Sequence, residues 1–266
     1  MSIKQKGSLL LIPNTLGGES TADIIPQEVI QQAIQLRVFA VEEIKSARRL
    51  LRKMDRNFPI DDCTFRIVNK NTKESELMDL LMFLIKGIDV GIISEAGCPG
   101  IADPGAALVH LAHSQSIQVK PLVGPSSILL ALIGSGFNGQ HFTFHGYLPK
   151  ERKERIKKLR DFEMDTKRNG TTHLFMDTPF RNMNVLEDLL NEVGDLTELC
   201  IASNLTLPSE SIRTMTVLDW REKAYDLAKI PTIFAIGKGQ DVLKFNFAFF
   251  MTSLHICEGY FYKKEI

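Results

Sequence analysis

Residues 94–105 read Ser-Glu-Ala-Gly-Cys-Pro-Gly-Ile-Ala-Asp-Pro-Gly, and they follow directly on the apolar run Val90–Ile93. Three glycines and two prolines in this stretch exclude a continuous helix or strand. Connections between elements have a median length of about 4–6 residues, and longer ones often carry function. Asp103 before Pro104 also predicts a helix start, with Asp103 as the N-cap. The stretch therefore predicts a strand, a ligand-binding loop and a helix; a plain capped connection is the alternative.

Apolar runs and helical periods alternate on both sides of this loop. Strands are predicted at residues 8–12, 37–40, 90–93 and 118–123, and helices at residues 26–35, 42–54 and 72–86. The third helix carries one apolar face, made of Leu77, Leu80, Leu81, Leu84 and Ile85. This alternation predicts an α/β fold with a mostly parallel, doubly wound sheet.

The second half of the chain mixes strands and helices in a different rhythm. Strands are predicted at residues 142–147, 172–176, 199–202, 213–217 and 232–236, and helices at residues 150–163, 180–192 and 218–227. We therefore predict a first α/β domain over residues 1–123 and a second over residues 124–240. Residues 241–266 form an aromatic-rich tail to which the sequence assigns no role.

Two further loops follow predicted strands, at residues 13–18 and 123–127. In an open α/β sheet such loops lie along one edge, where ligands bind. Ser126 and Ser127 precede an apolar helical segment, so either serine can cap that helix or bind a ligand carboxylate at its N-terminus. The first loop lacks the phosphate-loop and dinucleotide patterns. The histidines show no metal-ligand spacing beyond His110 and His113, which are expected to be solvated on a surface helix, so no metal site is predicted.

Composition excludes several broad classes. The formal net charge is zero, which argues against a nucleic-acid packaging protein. The four cysteines form no CxxC pair, so we expect neither a zinc site nor a disulfide framework, and we expect a cytoplasmic location. No apolar run approaches the length of about 18 residues that spans a membrane, and no signal peptide is predicted.

The loops in this order resemble the tetrapyrrole methylase superfamily of S-adenosylmethionine-dependent methyltransferases. The closest likeness is to the branch that methylates a cytidine ribose 2′-hydroxyl in small-subunit ribosomal RNA. Its D-A-G-T-P-x-I-x-D-P-G loop is similar to residues 95–105, and its P-L-P-G-P segment is similar to residues 121–125. Its G-F-L-P turn is similar to residues 146–149, and its E-S-x-x-R strand end is similar to residues 176–181.

The resemblance implies two α/β domains, a homodimer and an S-adenosylmethionine cofactor in the cleft between the domains. It places two groups of residues on the methionine side: first Pro13, Ser94, Glu95, Ala96, Gly97 and Cys98, then Ile101, Ser126 and Ser127. On the adenosine side it places Met176, Leu205, Pro231 and Thr232.

Three segments depart from the family pattern at positions where a substrate would bind. The branch's E-D-T-R segment is matched to Glu43-Ile44-Lys45-Ser46, and its E-L-T-K segment to Asn204-Leu205-Thr206-Leu207. The first loop reads P-N-T-L-G-G-E in place of P-T-P-I-G-N.

A ribose hydroxyl must lose its proton during methylation, and a carboxylate can accept it. The acidic candidates by loop position are Glu43, Glu95, Asp103 and Asp177. Of these, Asp103 is the one most expected to have a structural role and not to act as a base. Two basic clusters can contact RNA phosphates or form solvated helix faces. They are Lys45, Arg48, Arg49, Arg52, Lys53 and Arg56, and Arg152, Lys153, Arg155, Lys157, Lys158 and Arg160.

Three functions remain open on the sequence. The first is a methyltransferase acting on ribosomal RNA. The second is a methyltransferase acting on a tetrapyrrole or another small molecule. The third is a non-catalytic module that uses the same fold as a dimeric binding surface.

Overall fold

The computed structural model describes residues 5–18, 20–223 and 225–239 of the chain. The predicted tail at residues 241–266 and Cys257 lie outside the described residues. Within them, two five-stranded sheets form, one in each half of the chain. No helix in the described part is long and apolar enough to cross a membrane.

The first sheet is entirely parallel, with the strand order β3-β2-β4-β1-β5. Its strands are β1 Ser8–Ile12, β2 Val38–Val41, β3 Thr64–Ile67, β4 Val90–Ile93 and β5 Gln118–Pro121. Its helices are α1 Gln27–Ile34, α2 Ile44–Met54, α3 Glu74–Ile85 and α4 Ala106–Ser114. The predicted parallel α/β sheet is confirmed.

Helices cover both faces of this sheet because successive strand residues point to opposite sides. Leu10 and Ile12 of β1 pack in one core with residues of α1 and α2. Leu9 and Leu11 pack in a second core with residues of α3 and α4. Burial of both faces explains why β1 and β4 are continuous apolar runs.

The second sheet is mixed, with the strand order β6-β7-β10-β8-β9. Its strands are β6 Phe142–Tyr147, β7 Thr172–Met176, β8 Glu198–Ser203, β9 Ser211–Thr216 and β10 Thr232–Gly237. β6 and β7 are parallel, and the other neighbouring pairs are antiparallel. Its helices are α5 Ser127–Ser135, α6 Arg152–Asn169, α7 Asn182–Glu192 and α8 Val217–Arg221.

Helix α5 packs on one face of the second sheet, whereas α6, α7 and α8 pack on the other. α5 therefore lies with the second half of the chain. The connection between β5 and α5 contains the predicted domain boundary at Val123 and Gly124, which stays a prediction.

One edge of each sheet faces the site described next. In the first sheet, β1, β4 and β5 run parallel, so the loops that follow them leave from the same edge. In the second sheet, Met176 at the end of β7 pairs with Ile233 near the start of β10. Thr232, the first residue of β10, pairs with Ser203 at the end of β8. The two halves thus bring loop residues and strand ends to a shared region.

Candidate active site between the two sheets

Asn14 holds the first and second loops together. Its backbone N–H donates to the Gly97 carbonyl at 2.9 Å. Its side-chain amide donates to the carbonyls of Ser94 and Glu95 at 3.0 and 2.9 Å. Because Asn14 is buried, these bonds satisfy polar groups that would otherwise be costly to bury. The start of the second loop is therefore fixed against β1.

Asp103 fixes the remainder of the second loop. Its carboxylate accepts from the Gly100 N–H at 2.8 Å and from the Gly105 N–H at 2.7 Å. Gly97 and Gly100 have positive φ values of 67° and 87°, which favour glycine. The prediction that Asp103 is the helix N-cap is wrong, since α4 begins at Ala106. Instead, the carboxylate closes the loop three residues before the helix begins.

The third loop packs closely on the other two. A Cβ added at Gly124 would lie 2.1 Å from the Pro13 Cβ, so only glycine allows this approach. The Cys98 Sγ lies 3.3 Å from the Pro125 carbonyl, to which it donates. Burial raises the pKa of the Cys98 thiol, which keeps the sulfur protonated as a donor. Ser126 caps α5 by accepting from the Leu129 N–H.

Two adjoining cavities lie between these loops and the second sheet. The loop cavity has a volume of about 240 Å³ and is lined mainly by the second loop and the start of α5. The sheet cavity has a volume of about 230 Å³ and is lined mainly by the ends of β7, β8 and β10. Both cavities share walls formed by Leu16, Ala96, Ser127, Tyr147 and Met176.

The predicted cofactor residues divide between these cavities. The loop cavity is lined by Ser94, Glu95, Ala96, Gly97, Cys98, Ile101, Ser126, Ser127 and Met176. The sheet cavity is lined by Ala96, Ser127, Met176, Leu205, Pro231 and Thr232. Pro13 lines neither cavity and supports the third loop through its contact with Gly124.

The acidic candidates have different surroundings. Glu95 is exposed and lines the loop cavity. Asp103 also lines this cavity, but its carboxylate accepts hydrogen bonds from N–H groups of the loop. Asp177 is buried at the sheet cavity and is paired with the Arg181 guanidinium. Glu43 lines neither cavity, because its carboxylate accepts from the Lys45 and Ser46 N–H groups and caps α2. This geometry does not support Glu43 as a base.

Glu42 is a further acidic residue at the site, and it was not among the residues predicted from the sequence. It lines the loop cavity, and its Oε1 lies 3.4 Å from the Glu95 N–H. Burial raises the pKa of the Glu42 carboxyl; the hydrogen bond from the Glu95 N–H partly opposes this shift, and the negative charges of Asp103 and Glu95 add to it. Matching the E-D-T-R pattern one residue earlier, to Glu42-Glu43-Ile44-Lys45, would have found it. Tyr147 and Leu16, which line both cavities, carried no comparable signal.

Comparisons with known proteins agree with this geometry. Ribosomal RNA small subunit methyltransferase I of Halalkalibacterium halodurans is 30% identical over 228 residues, which cover 86% of this chain and 73% of that protein. The chain belongs to this family. The protein of the same name from Vibrio cholerae is 29% identical over 211 residues, covering 79% of this chain and 69% of that protein. No protein-family model matches the sequence.

Solved structures show the same fold at lower identity. The methyltransferase CobJ matches with a TM-score of 0.58 and 18% identity, over 87% of this chain and 94% of CobJ. The cobalt precorrin-4 methyltransferase CbiF matches with a TM-score of 0.56 and 15% identity, over 88% of this chain and 96% of CbiF. The predicted two-domain tetrapyrrole methylase fold, superfamily and methyltransferase class are confirmed.

Proposed function

We propose that this chain is an S-adenosylmethionine-dependent methyltransferase that acts on small-subunit ribosomal RNA. The observation that carries the proposal is the meeting of the three loops and the second sheet around two adjoining cavities, in a member of this family. A substrate in the small ribosomal subunit also implies a cytoplasmic location.

The residues around the cavities suit the parts of S-adenosylmethionine. Met176, Leu205 and Pro231 line the sheet cavity and offer apolar surface to an adenine ring. Ser126 and Ser127 lie at the N-terminus of α5, where free N–H groups and the helix dipole favour a carboxylate. Gly97 belongs to the same wall, and its positive φ lets the backbone approach a ligand. The donor's amino-acid end would therefore lie in the loop cavity and its adenosine in the sheet cavity.

When bound, S-adenosylmethionine supplies a methyl group that is already activated as a sulfonium. The chain's task is then to position donor and acceptor, and proximity supplies much of the acceleration. We propose a cytidine ribose 2′-hydroxyl as the acceptor, as the resemblance implies. Glu42 would accept its proton, because burial makes this carboxylate a stronger base than a solvated one.

The methylation pattern of small-subunit RNA tests this function. Small subunits from a strain that lacks the protein are incubated with purified protein and methyl-tritiated S-adenosylmethionine, and the RNA is mapped by mass spectrometry. We expect one 2′-O-methylcytidine to appear that is absent before incubation. Transfer of label to no RNA nucleotide would refute the substrate, and transfer to a base would refute the ribose acceptor.

We also propose a homodimer, with the outer face of α5 in the interface. Leu129 and Ile133 lie one helical turn apart on this face and are 47% and 77% exposed. Adjacent large apolar side chains on an outer helix face are typical of surfaces that a second copy covers. Sedimentation should give a dimer for the parent chain and a monomer for Ile133→Glu. A monomeric parent chain would refute the dimer, and a dimeric variant would refute this interface.

A further inference from the structure

We infer that a third cavity, between the first loop and α2, binds a phosphodiester of the RNA strand beside the methylated nucleotide. We call it the polar cavity; it has a volume of about 260 Å³. The inference rests on the proposed RNA substrate and names the group that holds the strand. The Arg49 side chain makes the main contact with this phosphodiester.

The position of the polar cavity suits a substrate group. Leu16, Glu95 and Ala96 line both the polar cavity and the loop cavity. A ligand in the polar cavity would therefore lie on the other side of this wall from the proposed donor. A strand that presents one ribose to the donor would place the adjoining phosphodiester beside this wall.

The charge of the polar cavity suits a phosphate. Ser46, Arg49 and Lys53 lie at i, i+3 and i+7 on α2, so their side chains share one helix face toward the cavity. Lys53 Nζ donates to the Gly18 carbonyl at 2.7 Å, which ties the first loop to the same face. Glu95 adds a negative charge at the opposite wall, so the phosphate is expected at the arginine end.

Arg49 is the residue on this face that is available to a ligand. It is exposed, and among the residues that the structure describes it has neither a hydrogen-bond nor an ion-pair partner. Its neighbour Arg48 is paired with Asp61. The N-terminus of α2 is occupied by the Glu43 carboxylate, so a phosphate would meet the arginine side chain and not the helix end.

The three arginines of the second basic cluster are paired within the protein instead. Arg155 is buried and paired with Asp188, which also pairs with Arg152. Arg160 is paired with Glu192. Because these arginines neutralise carboxylates of α7, the cluster offers less net charge to RNA than its sequence suggests. This contrast favours α2 as the phosphate-binding helix.

Salt-dependent binding of RNA tests the inference. A fluorescein-labelled fragment of small-subunit ribosomal RNA is titrated with the full chain, with Arg49→Gln and with Arg49→Glu, over a series of salt concentrations. We expect Arg49→Gln to weaken binding about tenfold, the low end for a hydrogen bond to a charged group. The slope of log K against log salt should fall by about 0.7, the value for one phosphate contact on a single strand. Arg49→Glu should weaken binding further.

The matched control is Arg168→Gln, which removes an exposed arginine from the last turn of α6. We expect its RNA affinity, its salt slope and the thermal midpoints of all variants to match the parent chain. Unchanged affinity and slope in Arg49→Gln, or an equal loss in Arg168→Gln, would overturn the inference, as would absence of RNA binding by the parent chain. If the parent chain binds RNA but transfers no methyl group, the proposed function fails while the salt slopes still decide the role of Arg49.

Discussion

Glu42 and Glu43 show how the site depends on single residues. Both follow β2, yet Glu42 lines the loop cavity and Glu43 caps α2. The sequence predicted an acidic residue here but assigned it to Glu43. Capping preference alone could not separate the two, because either of two adjacent acids can be the last residue before a helix, whereas matching the E-D-T-R pattern one residue earlier selects Glu42. The burial that raises the Glu42 pKa arises only when the second loop folds over it.

Replacing Glu42 tests its role as the base. We expect Glu42→Gln to lower kcat for RNA methylation by about a hundredfold or more, since positioned bases contribute about 10²–10⁴-fold. The affinity for S-adenosylmethionine, measured by calorimetry, should be retained, because Gln keeps the shape of the side chain. An unchanged kcat would contradict the assignment.

The Glu43→Ala variant has the opposite expected result. It removes two hydrogen bonds at the start of α2, so the free energy of unfolding should fall by about 1 kcal/mol. Urea denaturation measures this loss, and kcat of the folded enzyme should be retained. A full loss of kcat without a loss of stability would show that Glu43, and not Glu42, acts in the reaction.

At the scale of elements, the second loop and strand β4 before it follow from the sequence, whereas some other elements do not. Its glycines, prolines and Asp103 identify it, and the structure places its residues along the loop cavity. Strand β3 was missed, since Thr64–Ile67 is a half-exposed edge strand without a clear apolar run. The predicted helix at residues 218–227 ends at Arg221, because the chain turns there. The formation of β3 and the end of α8 both depend on tertiary packing, which the local sequence pattern does not contain.

Ala96 gives the sharpest test of this loop, because it lines all three cavities. We expect Ala96→Phe to fill the shared wall and to remove the rise in thermal midpoint that S-adenosylmethionine gives the parent chain. The control Ala107→Phe places the same side chain on the exposed first turn of α4 and should keep the rise. A full rise in Ala96→Phe would show that the donor binds elsewhere.

At the scale of the whole molecule, a histidine pair in the second half makes the stability of the chain depend on pH. The second half contains a histidine pair on β6 and β7, in which His145 is partly buried and His173 is buried, and His145 Nε2 and His173 Nδ1 lie 2.8 Å apart. Burial lowers the pKa of His145 to about 4, and the charges of His173 and Lys158 act in the same direction, against Asp165. Burial also lowers the pKa of His173, although Asp165 partly opposes this shift. No sequence motif marks this pair, because it forms only when the two strands become neighbours.

This pair predicts a loss of stability in acid. The unfolded chain takes up protons at His145 below its ordinary pKa of 6.5, whereas the folded chain does so only near 4. The stability that the neutral His145 side chain contributes is therefore fully present above pH 6.5 and is lost as the pH falls toward 4. We expect a loss of about 1–2 kcal/mol, discounted because the ring is only half-buried. Urea midpoints against pH should flatten in His145→Gln but not in His110→Gln, an exposed control on α4. Equal slopes in both variants would contradict this origin.

The prediction of a cofactor cleft between the two domains depended on the resemblance more than on the residues. Spacing alone gave strand-end loops in an α/β fold, and the pairing of a parallel with a mixed sheet came from the structure. The cleft is made by residues far apart in sequence, such as Ala96 and Met176, which share the wall of both cavities. Contacts of this kind do not follow from local periodicity.

A crystal structure with bound S-adenosylhomocysteine tests the central claim most directly. We expect its adenine against Met176 and Leu205 in the sheet cavity and its carboxylate near Ser126 and Ser127 in the loop cavity. Its sulfur should face the wall at Ala96, toward the polar cavity that holds Arg49. Density for the ligand outside these two cavities, or a sulfur that faces away from that wall, would contradict the account.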